Sequence, residues 1–155
     1  MKSLSLEERI QRIEDIEAIR ELKMEYCRHC DNNYDPDPIA ALFTEDAIWD
    51  GGSFGKYEGR EAIRKFFRGV SGKLPFAMHY VTNSSIDLQG DRAIGRWYLH
   101  CPVTFAEGNQ AVWGAGFYED HYVKVGDKWF IKGLKVMSTF WTPFDKGWVK
   151  QRSME

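Results

Sequence analysis

Apolar residues near the start of the chain recur at almost helical intervals: Ile10, Ile13, Ile16, Ile19, Leu22, Tyr26, Cys27 and Cys30. Ser5-Leu6-Glu7-Glu8 fits a capping box, with Ser5 as N-cap and Glu8 reaching back to it. The spacing of three in the first half drifts around a 3.6-residue helix. Leu6 to Ile13 is therefore expected as a separate or peripheral turn, and the main helix as Asp15 to Cys30. Asp31-Asn32-Asn33 is a natural stop. Pro36 and Pro38 then bracket the start of a short helix, Pro38 to Thr44, with Asp37 as its N-cap. Ala47 to Asp50 reads as a strand ended by Gly51-Gly52, and Arg60 to Phe67 as a helix with Ile63, Phe66 and Phe67 on one face.

After Gly69 the pattern changes from helical to extended. Four long β segments are expected at Ala77–Leu88, Arg92–Phe105, Gln110–Val125 and Lys128–Trp141. They are joined by turns at Gln89-Gly90-Asp91, Glu107-Gly108-Asn109 and Gly126-Asp127. Helices first and a meander of strands afterwards predict an α+β fold with helices on one face of a mostly antiparallel sheet. The strands alternate poorly, because Trp97-Tyr98-Leu99, Val112-Trp113 and Phe117-Tyr118 put bulky groups on both faces. Helices on one side and a second subunit on the other would cover such a sheet.

Length and charge narrow the partners. A chain of 155 residues is most simply one domain, 1–155, with a substantial core. A net charge of −2 and no basic run longer than two residues give no footprint for nucleic acid. No apolar stretch reaches the roughly 18 residues of a membrane-spanning helix, and the start lacks a signal-peptide core. Three cysteines suggest reduced thiols and a cytoplasmic setting. Aromatic residues make up 15% of the chain, including six Trp, which points to a large core, an apolar pocket, a subunit interface, or all three.

Two polar residues interrupt apolar stretches. Asp31 ends Met24–Cys30, and His79 lies in Phe76-Ala77-Met78-His79-Tyr80-Val81. Singly, Asp31 reads as a helix-end or Asx-turn residue and His79 as a satisfied core histidine. Brought together, they form a base: a carboxylate on one ring nitrogen fixes the tautomer and leaves the other nitrogen free to take a proton. Tyr26 lies about one and a half turns before Asp31. It is either a core aromatic or a donor to a substrate oxygen. Trp49, Phe54, Phe66, Trp97, Trp113, Met137 and Phe140 are candidates for the substrate pocket or the core.

Other chemistry has weaker signals. Cys27-Arg28-His29-Cys30 matches C-x-x-C, but no second pair exists to complete a zinc site, so no metal and no cofactor are expected. His29 and His121 read as surface groups, and His100 as a residue of a pocket mouth or an interface. Gly51-Gly52-Ser53-Phe54-Gly55 lacks the ending of a phosphate loop, and no nucleophile elbow or zinc-protease motif is present.

The segment order resembles the SnoaL-like branch of the nuclear-transport-factor-like (cystatin-like) α+β superfamily, over essentially the whole chain. The residues that carry the likeness to bile acid 7α-dehydratase are Asp15 to Lys23 with Tyr26 and Asp31, Gly95-Arg96-Trp97-Tyr98-Leu99, and Phe117-Tyr118 through Trp129. The strand around His79, with Tyr80, Thr82 and Asn83, is similar to that of hexachlorocyclohexane dehydrochlorinase. The resemblance implies a cystatin-like cone enclosing an apolar pocket. It also implies Asp31 and His79 as the catalytic base, as in scytalone dehydratase too, and Tyr26 as the dehydratase-type tyrosine. The chain departs from each relative where substrates are read. The dehydrochlorinase's lysine and arginine fall on Tyr26 and Leu134. Scytalone dehydratase's second histidine falls on Val103, its tyrosine pair is missing from Cys30 and Asp50, and an acidic residue of bile acid dehydratase falls on Cys101.

These readings imply a cofactor-independent lyase or isomerase, dehydratase-like, acting on a small apolar cyclic substrate of steroid or polyketide type. The same cone also serves non-catalytic ligand-binding proteins and the structural β-subunits of ring-hydroxylating dioxygenases. The resemblance implies a homo-oligomer, a trimer in preference to a dimer.

Overall fold

The computed structural model describes residues 4–154. Its first helix, α1 (Leu6–Asp31), opens with the expected capping box, in which Ser5 Oγ accepts the Glu8 N–H and Glu8 accepts the Ser5 N–H. The helix is continuous, so Leu6 to Ile13 is not a separate turn. The drift of its apolar positions has another consequence: Leu6, Ile10 and Ile13 are exposed, whereas Ile19, Leu22, Tyr26, Cys27 and Cys30 are buried. After Asp31 the chain turns through two left-handed residues, Asn33 (φ 60°) and Tyr34 (φ 52°).

Helix α2 spans Pro36–Ala41 with Asp35, not Asp37, as N-cap. Pro36 takes the first helical position, where its missing N–H costs nothing, and this moves the start two residues earlier than expected. Strand β1 (Phe43–Asp50) also begins earlier than Ala47. Its register on the neighbouring strand shifts between Phe43 and Ile48, and that irregularity falls on polar Thr44 to Asp46. A 3-10 turn (Gly52–Phe54), β2 (Lys56–Glu58), α3 (Arg60–Phe67) and α4 (Val70–Lys73) follow.

The C-terminal half is β3 (Phe76–Ala77), β4 (Tyr80–Gln89), β5 (Arg92–Phe105), β6 (Gln110–Val125), β7 (Lys128–Pro143) and a last turn, α5 (Gly147–Lys150). Strand order is β2-β1-β7-β6-β5, and both β3 and β4 pair with the far edge of β5. Among the described residues, only β1 and β7 are parallel partners; the other pairs are antiparallel. The α+β arrangement expected from the element order is the one observed.

Each long strand alternates more regularly than its composition suggests. Ala93, Trp97, Leu99, Cys101 and Val103 of β5, and Val112, Tyr118, Asp120 and Tyr122 of β6, are buried on the helix-covered face. The bulky outward residues Tyr98, Phe117 and Met137 are partly exposed, and Tyr98 and Phe117 pack edge to face at 4.8 Å. Helix α1 is tied to the inner face by Asp15, which accepts hydrogen bonds from Lys124 Nζ (2.8 Å) and Trp129 Nε1 (2.9 Å). Gly114 makes room for another inward aromatic, since a Cβ there would lie 2.4 Å from the Trp141 ring.

Candidate active site

The C-terminus of α1 meets the edge of the sheet where that edge is broken. Strand β3 pairs Ala77 with Val103, and β4 resumes with Tyr80 opposite His100, so Met78 and His79 bridge the gap. Met78 keeps a bond to the Pro102 carbonyl. The backbone N–H of His79 instead donates to Asp31, at 3.0 Å from Oδ1 and 3.2 Å from Oδ2. The ring follows: His79 Nδ1 lies 2.6 Å from Asp31 Oδ1. His79 is therefore in a break, not inside a strand. The break satisfies its backbone donor with the same carboxylate that holds its ring.

A carboxylate accepts only, so Nδ1 carries the shared hydrogen and Nε2 of the neutral ring is left with its lone pair. The His79 side chain is 10% exposed and that of Asp31 28%. Asp31 is thus at a rim reached by water, not in an apolar interior as its sequence context suggests. It is the last residue of α1, and its charge remains partly solvated.

His79 lines a cavity of about 630 Å³ between the helices and the inner face of the sheet, a size suited to a small organic ligand. Trp49, Phe54 and Phe66 belong to its wall, together with Phe67, Leu99 and Trp141. Trp49 and Phe66 pack at 4.7 Å, and Tyr57 stacks on Phe66 at 4.3 Å. Four other pocket candidates do not line it. Trp97 is buried in the core beyond the wall. Trp113, Met137 and Phe140 lie on the outward face, where Trp113 packs against His100 and Phe140 stacks on Trp148. The parity of the strands decides this: Trp113 has the opposite parity to buried Val112 and Tyr118, and Met137 pairs with outward Phe117.

Tyr26 reaches the cavity wall from α1, almost fully buried. Its hydroxyl oxygen accepts a hydrogen bond from Trp49 Nε1 at 3.0 Å, which leaves its own O–H to donate, with the neighbouring Cys30 sulfur as the competing acceptor within the protein. Burial holds the phenol well above its usual range, reinforced by the neighbouring Cys30. It is a neutral donor at any working pH. Two further phenols were not singled out from the sequence. Tyr34 packs its ring edge-on to His79 at 6.1 Å and stacks on Phe67, and Tyr118 lines the cavity from β6. Burial raises both phenols strongly as well.

The cysteine pair is buried and unbonded. Burial pushes the Cys27 thiol up to about 11 and that of Cys101, in the cavity wall, to about 12. Thiols so disfavoured as thiolates are poor nucleophiles and poor metal ligands. Among the described residues, no group of His, Cys, Asp or Glu is arranged to hold a metal ion, and no helix is long and apolar enough to cross a membrane. A larger concavity of about 780 Å³ lies elsewhere on the molecule, lined by Arg60, Arg92, Lys132 and acidic residues. It is more open and contains neither member of the Asp31–His79 pair, so the inner cavity is the candidate site.

The chain is 32% identical over 124 residues to uncharacterised proteins of Mycobacterium tuberculosis and Mycobacterium bovis, covering 79% of this chain and 84% of each relative. Among solved structures, its fold is similar to that of a hexachlorocyclohexane dehydrochlorinase of Novosphingobium barchaimii (TM-score 0.80, 23% identity, 87% of this chain and 93% of that one). It is also similar to a candidate scytalone dehydratase of Novosphingobium aromaticivorans (TM-score 0.78, 25% identity, 86% and 89%). A SnoaL-like domain matches residues 11–135, a span that includes Tyr26, Asp31, His79 and Tyr118. The chain belongs to the SnoaL-like domain family.

Proposed function

We propose that the protein is a cofactor-independent lyase or isomerase of the dehydratase type, acting on a small apolar cyclic carbonyl compound. The observation that carries this reading is the 2.6 Å contact between Asp31 and His79 on the wall of an aromatic cavity. His79 Nε2 takes a proton from carbon adjacent to, or vinylogous with, the carbonyl. The electron pair of that C–H bond moves toward the carbonyl oxygen. Asp31 orients the imidazole and stabilises the imidazolium that forms. Tyr26 donates to the carbonyl oxygen or to the departing hydroxyl. In an elimination, the C–O bond breaks as the enolate collapses, and the imidazolium returns the proton to the leaving oxygen, so that water departs. In an isomerisation, the same proton returns to a different carbon.

Two features favour this chemistry over simple ligand storage. Apolar walls strengthen charge interactions at the reacting atoms. Both solved neighbours described above carry names that denote eliminations. The departures at Tyr26 and Leu134 disfavour removal of chloride. The partly exposed outward residues Tyr98, Phe117 and Met137 support association of copies on the other face of the sheet.

The test is turnover of a panel of hydroxy-ketosteroids and smaller cyclic β-hydroxy-carbonyl compounds. His79→Ala should lower elimination by ~10³-fold or more, in the range expected for removing a general base, with an unchanged circular-dichroism spectrum. Saturable binding of the panel with no turnover by the wild type would identify a binding protein instead.

A further inference from the structure

Behind the cavity wall lies an ion pair that the proposed proton transfer does not use. Lys23 of α1 and Asp120 of β6 are 1% and 0% exposed, with Nζ 2.8 Å from Asp120 Oδ2. Tyr122 donates to the same Oδ2 at 2.8 Å, and Asp120 Oδ1 has no partner. Besides this contact, the ammonium lies 3.3 Å from the centroid of the Tyr118 ring and 5.1 Å from that of Tyr26. Taking two such charges out of water generally costs more than an apolar pair of the same volume. Stability alone is a weak reason for this placement.

The placement has an electrostatic consequence in the cavity. Tyr118 lines the cavity, Lys23 and Asp120 do not, and Tyr118 makes no side-chain hydrogen bond among the described residues. A cation on the face of a phenol withdraws electron density from the ring and makes the O–H a stronger donor. Burial keeps that hydroxyl protonated. The positive end of the pair is the end in contact with Tyr118.

We infer that Tyr118 is the donor to an anionic substrate oxygen, an enolate or phenolate, and that Lys23, held by Asp120, is the positioning residue that polarises it. This inference rests on the proposed reaction and deepens it. Tyr118 takes the carbonyl oxygen as it becomes an enolate, which leaves Tyr26 for the departing hydroxyl. The elimination then has separate groups for its proton, its oxyanion and its leaving group.

The probe is 4-nitrophenol, whose visible absorbance reports the ionised form. Its binding to the full-length protein is titrated across pH, and affinities for phenol and phenolate are separated. Wild type should prefer phenolate by about tenfold or more, the scale of one charge acting through a partly screened site. Tyr118→Phe, which leaves the ion pair intact, should lose that preference while still binding the neutral form. Lys23→Met with Asp120→Leu removes both charges together and avoids leaving one buried and unpaired; it should reduce the preference by a similar factor. His79→Ala should retain it.

The inference is overturned by a wild type that does not favour phenolate, or by a folded Tyr118→Phe or double variant with the wild-type preference. Loss of the preference in His79→Ala would also overturn it, by assigning the effect to the imidazolium. If the double variant fails to fold, Tyr118→Phe still decides. Absence of turnover would remove the proposed elimination and leave the dye titration interpretable.

Discussion

Asp31 receives both the backbone N–H and the ring Nδ1 of His79, so one carboxylate fixes the position and the orientation of a single imidazole. The ring cannot turn about its side-chain bonds without losing the Nδ1 contact, while its Nε2 edge remains available. Asp31→Asn removes the charge but keeps the shape, and an amide can present an N–H where the carboxylate presents only acceptors. The variant should fold with near-native stability and lose ~10² to 10⁴-fold in kcat, with a small change in KM. Steady-state kinetics on any turned-over substrate measures this, and a loss confined to KM would contradict it.

The hydroxyl of Tyr26 is supported by Trp49. Tyr26→Phe should cost roughly 10- to 1000-fold in kcat if its donor contacts the reacting oxygen. Trp49→Phe should cost less, because it removes only the bond that orients the phenol. Since Tyr26 is held well above its usual range by burial, no alkaline loss of activity should trace to it. The alkaline limb of the pH–rate profile should be the same in wild type and Tyr26→Phe.

Asp15 fastens α1 to the sheet through Lys124 and Trp129. Burial pushes its carboxyl up, but the bonds from Lys124 and Trp129 outweigh that effect and hold it below the usual range. A depressed folded-state value means the stabilisation is present above the unfolded carboxylate value near 4 and fades as pH falls through the folded one. Lys124 is raised by the same bond, so its share is lost only as pH rises past the ordinary lysine range. Asp15→Asn should therefore destabilise by ~1–2 kcal/mol at neutral pH and by progressively less at an acid pH, as the folded-state carboxyl, held below its usual range, takes up its proton. Urea melts at the two pH values provide the comparison; equal losses at both would refute the linkage.

Burial, not disulfide formation, protects the cysteines. With the Cys27 thiol pushed up to about 11, only about a thousandth of it is thiolate at pH ~8. Alkylation by iodoacetamide should be slow in the folded protein and rapid for all three cysteines in urea. Fast reaction of Cys27 in the native state would contradict its placement.

Gly114 sets the depth of the cavity near Trp141. Alanine there cannot coexist with the ring in its present place, 2.4 Å from the added carbon. Gly114→Ala should displace the indole, costing ~1–3 kcal/mol from overpacking. It should also change the affinity for large ring compounds more than for small ones. Equal effects on both ligand sizes would place Trp141 outside the binding volume.

Much of this architecture is readable from local patterns. The capping box at Ser5, the α3 stripe and the three turns between long strands are short-range signals, and the observed elements follow them closely. The break at Met78–His79 is not readable, because Phe76 to Val81 keeps an extended, apolar character throughout. What ends the ladder is a carboxylate 48 residues away. The division of the aromatic candidates between pocket and core was not readable for a related reason: Trp97 lies in the core, and Trp113, Met137 and Phe140 face outward. Strand parity separates inward from outward residues, but bulges in β7 at Lys132 and Thr139 and the depth of the core decide which inward residues reach the cavity. Lys23 and Asp120 did leave a signal. Lys23 falls on the buried stripe with Ile19 and Tyr26, and Asp120 on the inward parity with Tyr118 and Tyr122. Two opposite charges on two faces that pack together predict a buried pair.

The most direct measurement is exchange of carbon-bound hydrogen. Cyclic ketones and β-hydroxy-ketones that bind the protein are incubated in D₂O, and loss of the proton next to the carbonyl is followed by NMR. Wild type should catalyse the exchange or the elimination that competes with it, Asp31→Asn should be strongly slowed, and His79→Ala should match the uncatalysed rate while retaining ligand affinity. Exchange at the wild-type rate in folded His79→Ala would contradict the assignment of His79 as the base.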